Sequence, residues 1–331
     1  MNLIIDTDFA LDDWMAIAYL AMTPGVNLVG VTVTGVGASY LHPGTRNALD
    51  FLATIGRADV PVAAGTSAAL RYSNVYPISF RRQVNKAYGV ALTRNPNAPS
   101  ALSAVDFLAT AIEANPGIAI LSIGGGTNLG TLLKRQPGLA SSIGPVFVMG
   151  GVINRPPQGT QRVAGNVHSF NADYSNKVAE WNMFVDPKGA KYLFGAGLDA
   201  TLVPLNACND VPLDLAFYDA LKRYVDAGGA TAAATAIFAA LKTQRASVEK
   251  GQYFFWDPLA AVLLTEPSLA QYVTAPLRVR QKLDLERDRS AQTLIAASGT
   301  PAKIALSVPD AQAVRARFFE TITDGATLPP D

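Results

Sequence analysis

Through the first half of the chain, short apolar runs rich in β-formers alternate with stretches of helical period. "NLIID" at residues 2–6 predicts a buried strand, and "LDDWMAIAYLAMT" predicts the helix after it. "VNLVGVTVT" reads as a strand, "HPGTRNALDFLATIG" as a helix and "VPVAAG" as a short strand. The helix "ALSAVDFLATAIEANPG" leads into the strand "IAILSIGG", and the helix "NLGTLLKRQPG" into the strand "PVFVMGG". "PKGAKYLFGAG" is a further helix before the apolar run "ATLVPL". Alternation of this kind, with strands apolar on both faces, predicts an α/β fold: a mainly parallel, doubly wound central sheet with helices on both faces. Such sheets bind ligands beyond the carboxyl ends of their strands. Asp6, Asp8, Thr34 to Gly37, Ile123 to Asn128 and Met149 to Asn154 all fall at those ends.

Two stretches break the rhythm. Residues 70–100 are rich in Pro, Asn and Tyr without a clear period, and residues 155–179 form a long polar connection. Loops this long in a compact domain are commonly binding loops or lids. Residues 214–250 are Ala-rich and helical, "QTLIAAS" and "KIALSV" predict a hairpin, and "PDAQAVRARFFETI" predicts a final helix. With no linker, repeat or low-complexity tract, a single domain over residues 1–331 is expected.

Composition narrows the partners. Charged residues make up 16% of the chain and apolar ones 49%, which describes a packed globular protein rather than a disordered one. Net charge is +1 with Lys and Arg scattered singly, so no nucleic-acid footprint is expected. Cys208 stands alone, which excludes an intramolecular disulfide and a Cys-based zinc site. No apolar run reaches the ~18 residues of a membrane span. A strand-like run begins at residue 3 without a charged leader before it, so no membrane partner and a cytoplasmic location are the expectations.

The segment "DTDFALDD" is the anomaly. Asp6, Asp8, Asp12 and Asp13 crowd together between an apolar strand and an amphipathic helix, where mutual repulsion and desolvation both disfavour them. An EF-hand loop starting at Asp6 needs Gly and Glu where this chain has Leu11 and Ile17. A haloacid-dehalogenase-type phosphatase continues its D-x-D motif with Thr or Val, where Ala10 stands. Helix capping accounts for Asp12 and Asp13 but leaves Asp6 and Asp8 unexplained. The remaining reading is a divalent cation held by carboxylates from the strand end and the helix start; hard oxygen donors suit Ca²⁺.

At this point the sequence resembles a known family. "DTDFALDD" looks like the D-x-D-x-G-x-D-D signature of the nucleoside N-ribohydrolases, the inosine-uridine nucleoside hydrolases. "TRNALDFL", "SIGGGTNLGTLL", "VFVMGG", "GN" at 165–166, "AEWN" at 179–182, "DP" at 186–187 and "FFWDPLAA" at 254–261 follow in the family's order. The resemblance implies a Ca²⁺-dependent hydrolase that splits ribonucleosides into ribose and free base. It also implies a homodimer or homotetramer.

Residue by residue, it implies that Asp8 is the general base and touches the metal. Asp13 and Asp257 match carboxylate ligands, and the backbone carbonyl of Ile123 completes the protein's share of the metal shell. Asp12 matches the acid that holds the ribose hydroxyls, and Asp6 looks to stand behind the ligands. Asn166, Glu180 and Asn182 match the groups that grip the sugar. Trp256 stands where one branch of the family has a proton-donating His, and so resembles the purine-preferring branch, in which aromatic stacking assists departure of the base. Phe80 is the candidate for the opposite stacking face, and His168 the candidate for any histidine donor.

Departures from the family pattern concentrate on the base. Phe9 and Ala10 stand where small or polar residues are usual. "TGVGAS" places Gly37 or Ala38 where a polar Asn or Asp is usual, with Ser39 the nearest polar residue. A protein that keeps Ca²⁺ and ribose binding but has lost turnover is the alternative expectation; Asp8 separates the two, because a pure binder has no use for a base.

Overall fold

Residues 1–157, 161–283 and 288–329 are described by the computed structural model. The first unit is β1 (Asn2–Thr7), α1 (Leu11–Met22), β2 (Asn27–Val33), α2 (Leu41–Thr54) and β3 (Val62–Ala64). After α3 (Ile78–Asn85) and α4 (Ala104–Ala114) come β4 (Ile118–Ser122), α5 (Thr127–Arg135) and β5 (Ile143–Met149). Short helices α6 (Val167–Phe170) and α7 (Trp181–Val185) precede α8 (Pro187–Gly195) and β6 (Ala200–Val203). The helical segment holds α9 (Leu205–Cys208), α10 (Leu215–Asp226), α11 (Ala232–Leu241), α12 (Arg245–Glu249) and α13 (Asp257–Thr265). The chain closes with β7 (Gln271–Val279), β8 (Thr293–Ile295), β9 (Pro301–Ser307) and α14 (Ala311–Ile322). Among the described residues, no helix is long and apolar enough to cross a membrane.

One nine-stranded sheet runs in the order β3-β2-β1-β4-β5-β6-β9-β7-β8. Pairing is parallel from β3 through β6 to β9, and β7 is antiparallel to both of its neighbours. Alternation within β1 divides the core: Leu3 and Ile5 join the cluster under α1 and α13, while Ile4 joins the one formed with α4, α5 and α8. The chain moves outward from β1 to β3, then returns to place β4 on the other flank of β1. That reversal opens a crevice at the carboxyl ends of β1 and β4, the usual ligand position in an open α/β sheet.

Three expectations need correction. The predicted hairpin does not form: β8 and β9 each pair with β7, which lies between them. Pro276 inside β7 disguised that strand, since proline argues against a strand interior. The 70–100 stretch is not wholly irregular, because it contains α3, whose buried positions are Arg81 and Val84. A buried arginine reads as polar, so the apolar period vanished. Within the polar connection 155–179 the chain forms α6, and its residues 158–160 lie outside the described residues, as do 330–331 at the end of the expected domain.

Candidate active site

Every acid of the crevice floor is carried on a strand end or the start of a helix. Asp8 follows β1, Asp12 and Asp13 lie in the first turn of α1, and Asp257 is the first residue of α13. Glu180 caps α7, accepting from the Asn182 and Met183 N–H groups at 2.7 and 3.2 Å and from Gly151 N–H at 2.8 Å. Helix starts favour negative charge through their free N–H groups and aligned dipoles, which offsets part of the repulsion. The turn between β1 and α1 is wired locally. Asp13 accepts from the Thr7 hydroxyl and, at 2.7 Å, from Ala10 N–H, while Thr7 Oγ1 accepts Phe9 N–H at 2.9 Å.

Oxygens of Asp12, Asp13 and Asp257 come within 4.8 Å of one another. Burial is the largest influence on all three, followed by their neighbours' charge. Asp12 is pushed up to about 7 by burial and by Asp8. Asp13 rises well above the carboxylate range through burial, then Asp8 and Asp12. Asp257 rises likewise through burial, then Asp12, Asp13 and Asp8, and its buried Oδ1 has no hydrogen-bond partner. Three converging carboxylates with an orphaned oxygen fit a hard divalent cation, whose charge would reverse these shifts. The trio differs in membership from the expected ligand set: Asp12, expected on ribose, is within it, and Asp8 is not.

Asp8 instead directs Oδ2 to Ala38 N–H at 2.7 Å and still lines the cavity. Burial raises it to about 6, opposed by the Ala38 bond and by the Arg81 charge. A side chain at Gly37 has no room, since its Cβ would lie 1.8 Å from Asp8 Oδ2. The missing polar residue in "TGVGAS" is thus replaced by a backbone donor. Asp6 stands behind, outside the cavity wall, accepting from Thr32 Oγ1 at 2.7 Å and Asn128 Nδ2 at 2.8 Å. Burial raises it to about 6 despite those bonds.

Asn166, Glu180, Asn182 and Ile123 all line the same cavity of about 550 Å³. Asn166 Oδ1 is buried without a partner, as expected of a group awaiting a ligand. Burial lifts Glu180 to about 7 against its three backbone donors. Asn182 Nδ2 donates to the carbonyls of Ile123 (3.1 Å) and Met149 (3.2 Å), fixing the amide beside the expected ligand carbonyl. A carbonyl has two lone pairs, so Ile123 keeps one acceptor site.

The model of the family described as "Inosine-uridine preferring nucleoside hydrolase" matches residues 3–316. The chain belongs to this family. Uridine nucleosidase 1 of Arabidopsis thaliana is 33% identical over 213 residues, which cover 64% of this chain and 58% of that protein. The pyrimidine-specific ribonucleoside hydrolase RihA of Escherichia coli is 27% identical over 62% of this chain and 60% of its own. The chain thus spans less than two thirds of the curated relatives it matches. Solved structures match over nearly full length. A plant nucleoside hydrolase superposes with a TM-score of 0.82 at 25% identity, covering 97% of this chain and 98% of its own. The purine-preferring ribonucleoside hydrolase of Gardnerella vaginalis has a TM-score of 0.80 at 26% identity, with 98% of each chain covered.

In this nucleoside hydrolase homologue, the mouth of the cavity is aromatic. Phe80 lines it from α3, stacked on Tyr76 at 5.4 Å and meeting Phe170 edge-on at 5.1 Å. Tyr76 in turn stacks on Trp181 at 4.3 Å. Trp256 lines the cavity ahead of α13, packed against Tyr253 at 5.1 Å. Tyr76, Phe170, Trp181 and Tyr253 were not anticipated as site residues. They sit on unrelated elements, and only Trp181, inside "AEWN", carried a local signal. Tyr88 was missed too: it lines the cavity from a left-handed backbone (φ 54°), and its hydroxyl accepts Leu11 N–H at 2.9 Å.

Two candidates are placed elsewhere. His168 is not among the described lining residues; its Nδ1 lies 2.7 Å from the Tyr174 carbonyl, and Ser169 and Phe170 form the wall at that turn. Phe9 does not line the cavity. It is 1% exposed, adopts φ 62° and packs on Trp14 and Phe51 at 5.9 and 6.2 Å, leaving Ala10 alone on the wall.

Proposed function

We propose that this chain is a Ca²⁺-dependent ribonucleoside hydrolase, releasing ribose and a free base, with purine nucleosides preferred. The observation that supports it most is the convergence of Asp12, Asp13 and Asp257 within 4.8 Å on the floor of an aromatic-mouthed cavity. Asp13 and Asp257 of that trio, joined by Asp8 and the Ile123 carbonyl from the same cavity wall, would hold the ion and leave Asp12 to the sugar. When bound, Ca²⁺ supplies the charge that keeps these carboxylates ionised, lowers the pKa of an attacking water and anchors the vicinal diol. Asp8 takes the proton from that water, its Oδ2 aimed by Ala38 N–H. Asp12, the least buried of the three, holds ribose hydroxyls with Asn166 and Glu180. The carboxylates stabilise positive charge as the C–N bond lengthens toward an oxocarbenium-like state.

At the other end, Trp256 and Phe80 offer aromatic faces to the departing base. Among the described lining residues there is no histidine to protonate it, which favours a leaving group helped by stacking. The likeness to a purine-preferring hydrolase supports the same reading. The 33% identity to a uridine nucleosidase favours a second one, preference for pyrimidine ribosides. A panel of inosine, adenosine, guanosine, uridine and cytidine, assayed with Ca²⁺ and with EDTA, decides between them. The proposal expects metal-dependent ribose release with kcat/KM highest for purines. Pyrimidine preference overturns the base assignment. Metal-dependent ribose binding without release of base overturns the hydrolase reading in favour of a binder.

A further inference from the structure

Two consecutive residues of α3 serve different neighbours. Phe80 lines the cavity mouth, whereas Arg81, 6% exposed, reaches into the turn behind Asp8. One guanidinium nitrogen, Nη2, donates to the carbonyls of Gly35 at 2.8 Å and Ser39 at 2.5 Å. The guanidinium carbon lies 4.0 Å from the centre of the Tyr40 ring. Arg81 makes no ion pair among the described residues, and its buried Nε has no partner. A buried cation without a carboxylate at contact distance is costly, and two carbonyls with one ring face compensate it only in part.

What this arrangement accomplishes is visible in the turn it spans. Gly35 and Ser39 are its two ends, and the backbone between them forms a mould around Asp8. Ala38 N–H meets Asp8 Oδ2 at 2.7 Å, Ser39 N–H meets the Asp8 carbonyl at 3.1 Å, and the carboxylate lies so close to Gly37 that a Cβ there would be 1.8 Å from Oδ2.

We propose that Arg81 is a positioning residue: by tying both ends of the Gly35–Ser39 turn, it fixes the direction of the Asp8 carboxylate. Because Phe80 precedes it on the same helix, it also links that direction to the wall that receives the base. The inference rests on Asp8 acting as the base in the proposed reaction. A small misplacement of a reacting group costs up to ~10²-fold in rate.

The test uses the full chain with Ca²⁺, p-nitrophenyl riboside and inosine, and the variants Arg81→Ala and Arg81→Lys. Arg81→Ala is expected to lower kcat at least ~10-fold with KM changed less than about twofold. Millimolar guanidinium is expected to restore part of that loss. Arg81→Lys keeps the charge but replaces the planar fork with a point ammonium, and is expected to fall between. Amide exchange at Ala38, followed by mass spectrometry, should accelerate at least ~10-fold in both variants. A variant that circular dichroism reports as folded, with kcat intact or Ala38 exchange unchanged, overturns the proposal. If Arg81→Ala does not fold, Arg81→Lys decides on the same two readouts. Absence of metal-dependent cleavage by the unaltered chain would instead overturn the hydrolase reading, and Ala38 exchange would still test the clamp.

Discussion

On the floor of the cavity, carboxylates and amides hang from strand ends and helix starts and are aimed by backbone N–H groups. At its mouth, rings pack in two groups, Tyr76, Phe80, Phe170 and Trp181 on one side and Tyr253 with Trp256 on the other, backed by the hydrophobic core. The floor is an electrostatic device in which Asp8, Asp13 and Glu180 are held by backbone N–H groups of the turns that follow the strands or lead into α1. The mouth gains its order from packing between loops and short helices. In the proposed reaction, chemistry at the ribose would be preorganised, while recognition of the base would fall to rings gathered from several separate elements.

The sharpest way to break this contrast is Asp8→Asn, expected to lower kcat on p-nitrophenyl riboside by ~10³-fold while sparing most ribose affinity. Activity within ~10-fold of the unaltered chain would remove Asp8 from the mechanism. Next in size, Asp257→Asn should weaken Ca²⁺ binding at least ~10²-fold in calorimetry, since the carboxylate whose Oδ1 is unpartnered loses its charge. Unchanged affinity would mean that the ion is held elsewhere. Trp256→Ala, at the mouth, should cost ~10-fold on inosine and distinctly less on the nitrophenyl riboside, whose leaving group needs little help. Equal losses on both would end the stacking assignment.

The smallest effect is on stability. Burial lifts Asp6 and Asp8 to about 6 and Asp12 and Glu180 to about 7 in the chain without metal. Between pH of about 4 and 7 the native state then holds protons that the unfolded chain has released, so stability falls as pH rises through that window. In EDTA the Tm should drop by ~5 °C from about pH 5 to about pH 8. Added Ca²⁺ should raise Tm more at the higher pH, where the carboxylates are free of protons. A metal-free Tm that climbs over this range would refute the desolvation account.

The same contrast governs how much the sequence disclosed. Clustered aspartates after an apolar strand violate ordinary patterning, and a violated pattern can be noticed without a structure; the parallel sheet was legible for the converse reason, its regular alternation. Rings on loops have no period. Tyr76, Phe170 and Tyr253 stand far apart along the chain and become one surface only when α3, α6 and α13 converge. Arg81 was hidden twice, as a polar residue on a buried helix face and as the unseen neighbour of Asp8. Phe9 misled because its place in the motif suggested the cavity, whereas a φ of 62° turns it into the core. The β7–β8–β9 edge was mispaired because proximity along the chain does not fix which strands become neighbours in space.

The cavity lining contains five carboxyl groups, from Asp8, Asp12, Asp13, Glu180 and Asp257, and among its described residues no lysine, arginine or histidine. For a molecule arriving from solvent, that composition is a charge filter. Under the proposed function, a neutral nucleoside would meet no charge penalty there, whereas a nucleotide would bring its phosphate among carboxyl groups that the proposed cation offsets only in part, with no cationic side chain among the described lining residues to receive it. Raising the salt concentration would weaken that barrier, so any margin between nucleoside and nucleotide should narrow as ionic strength rises.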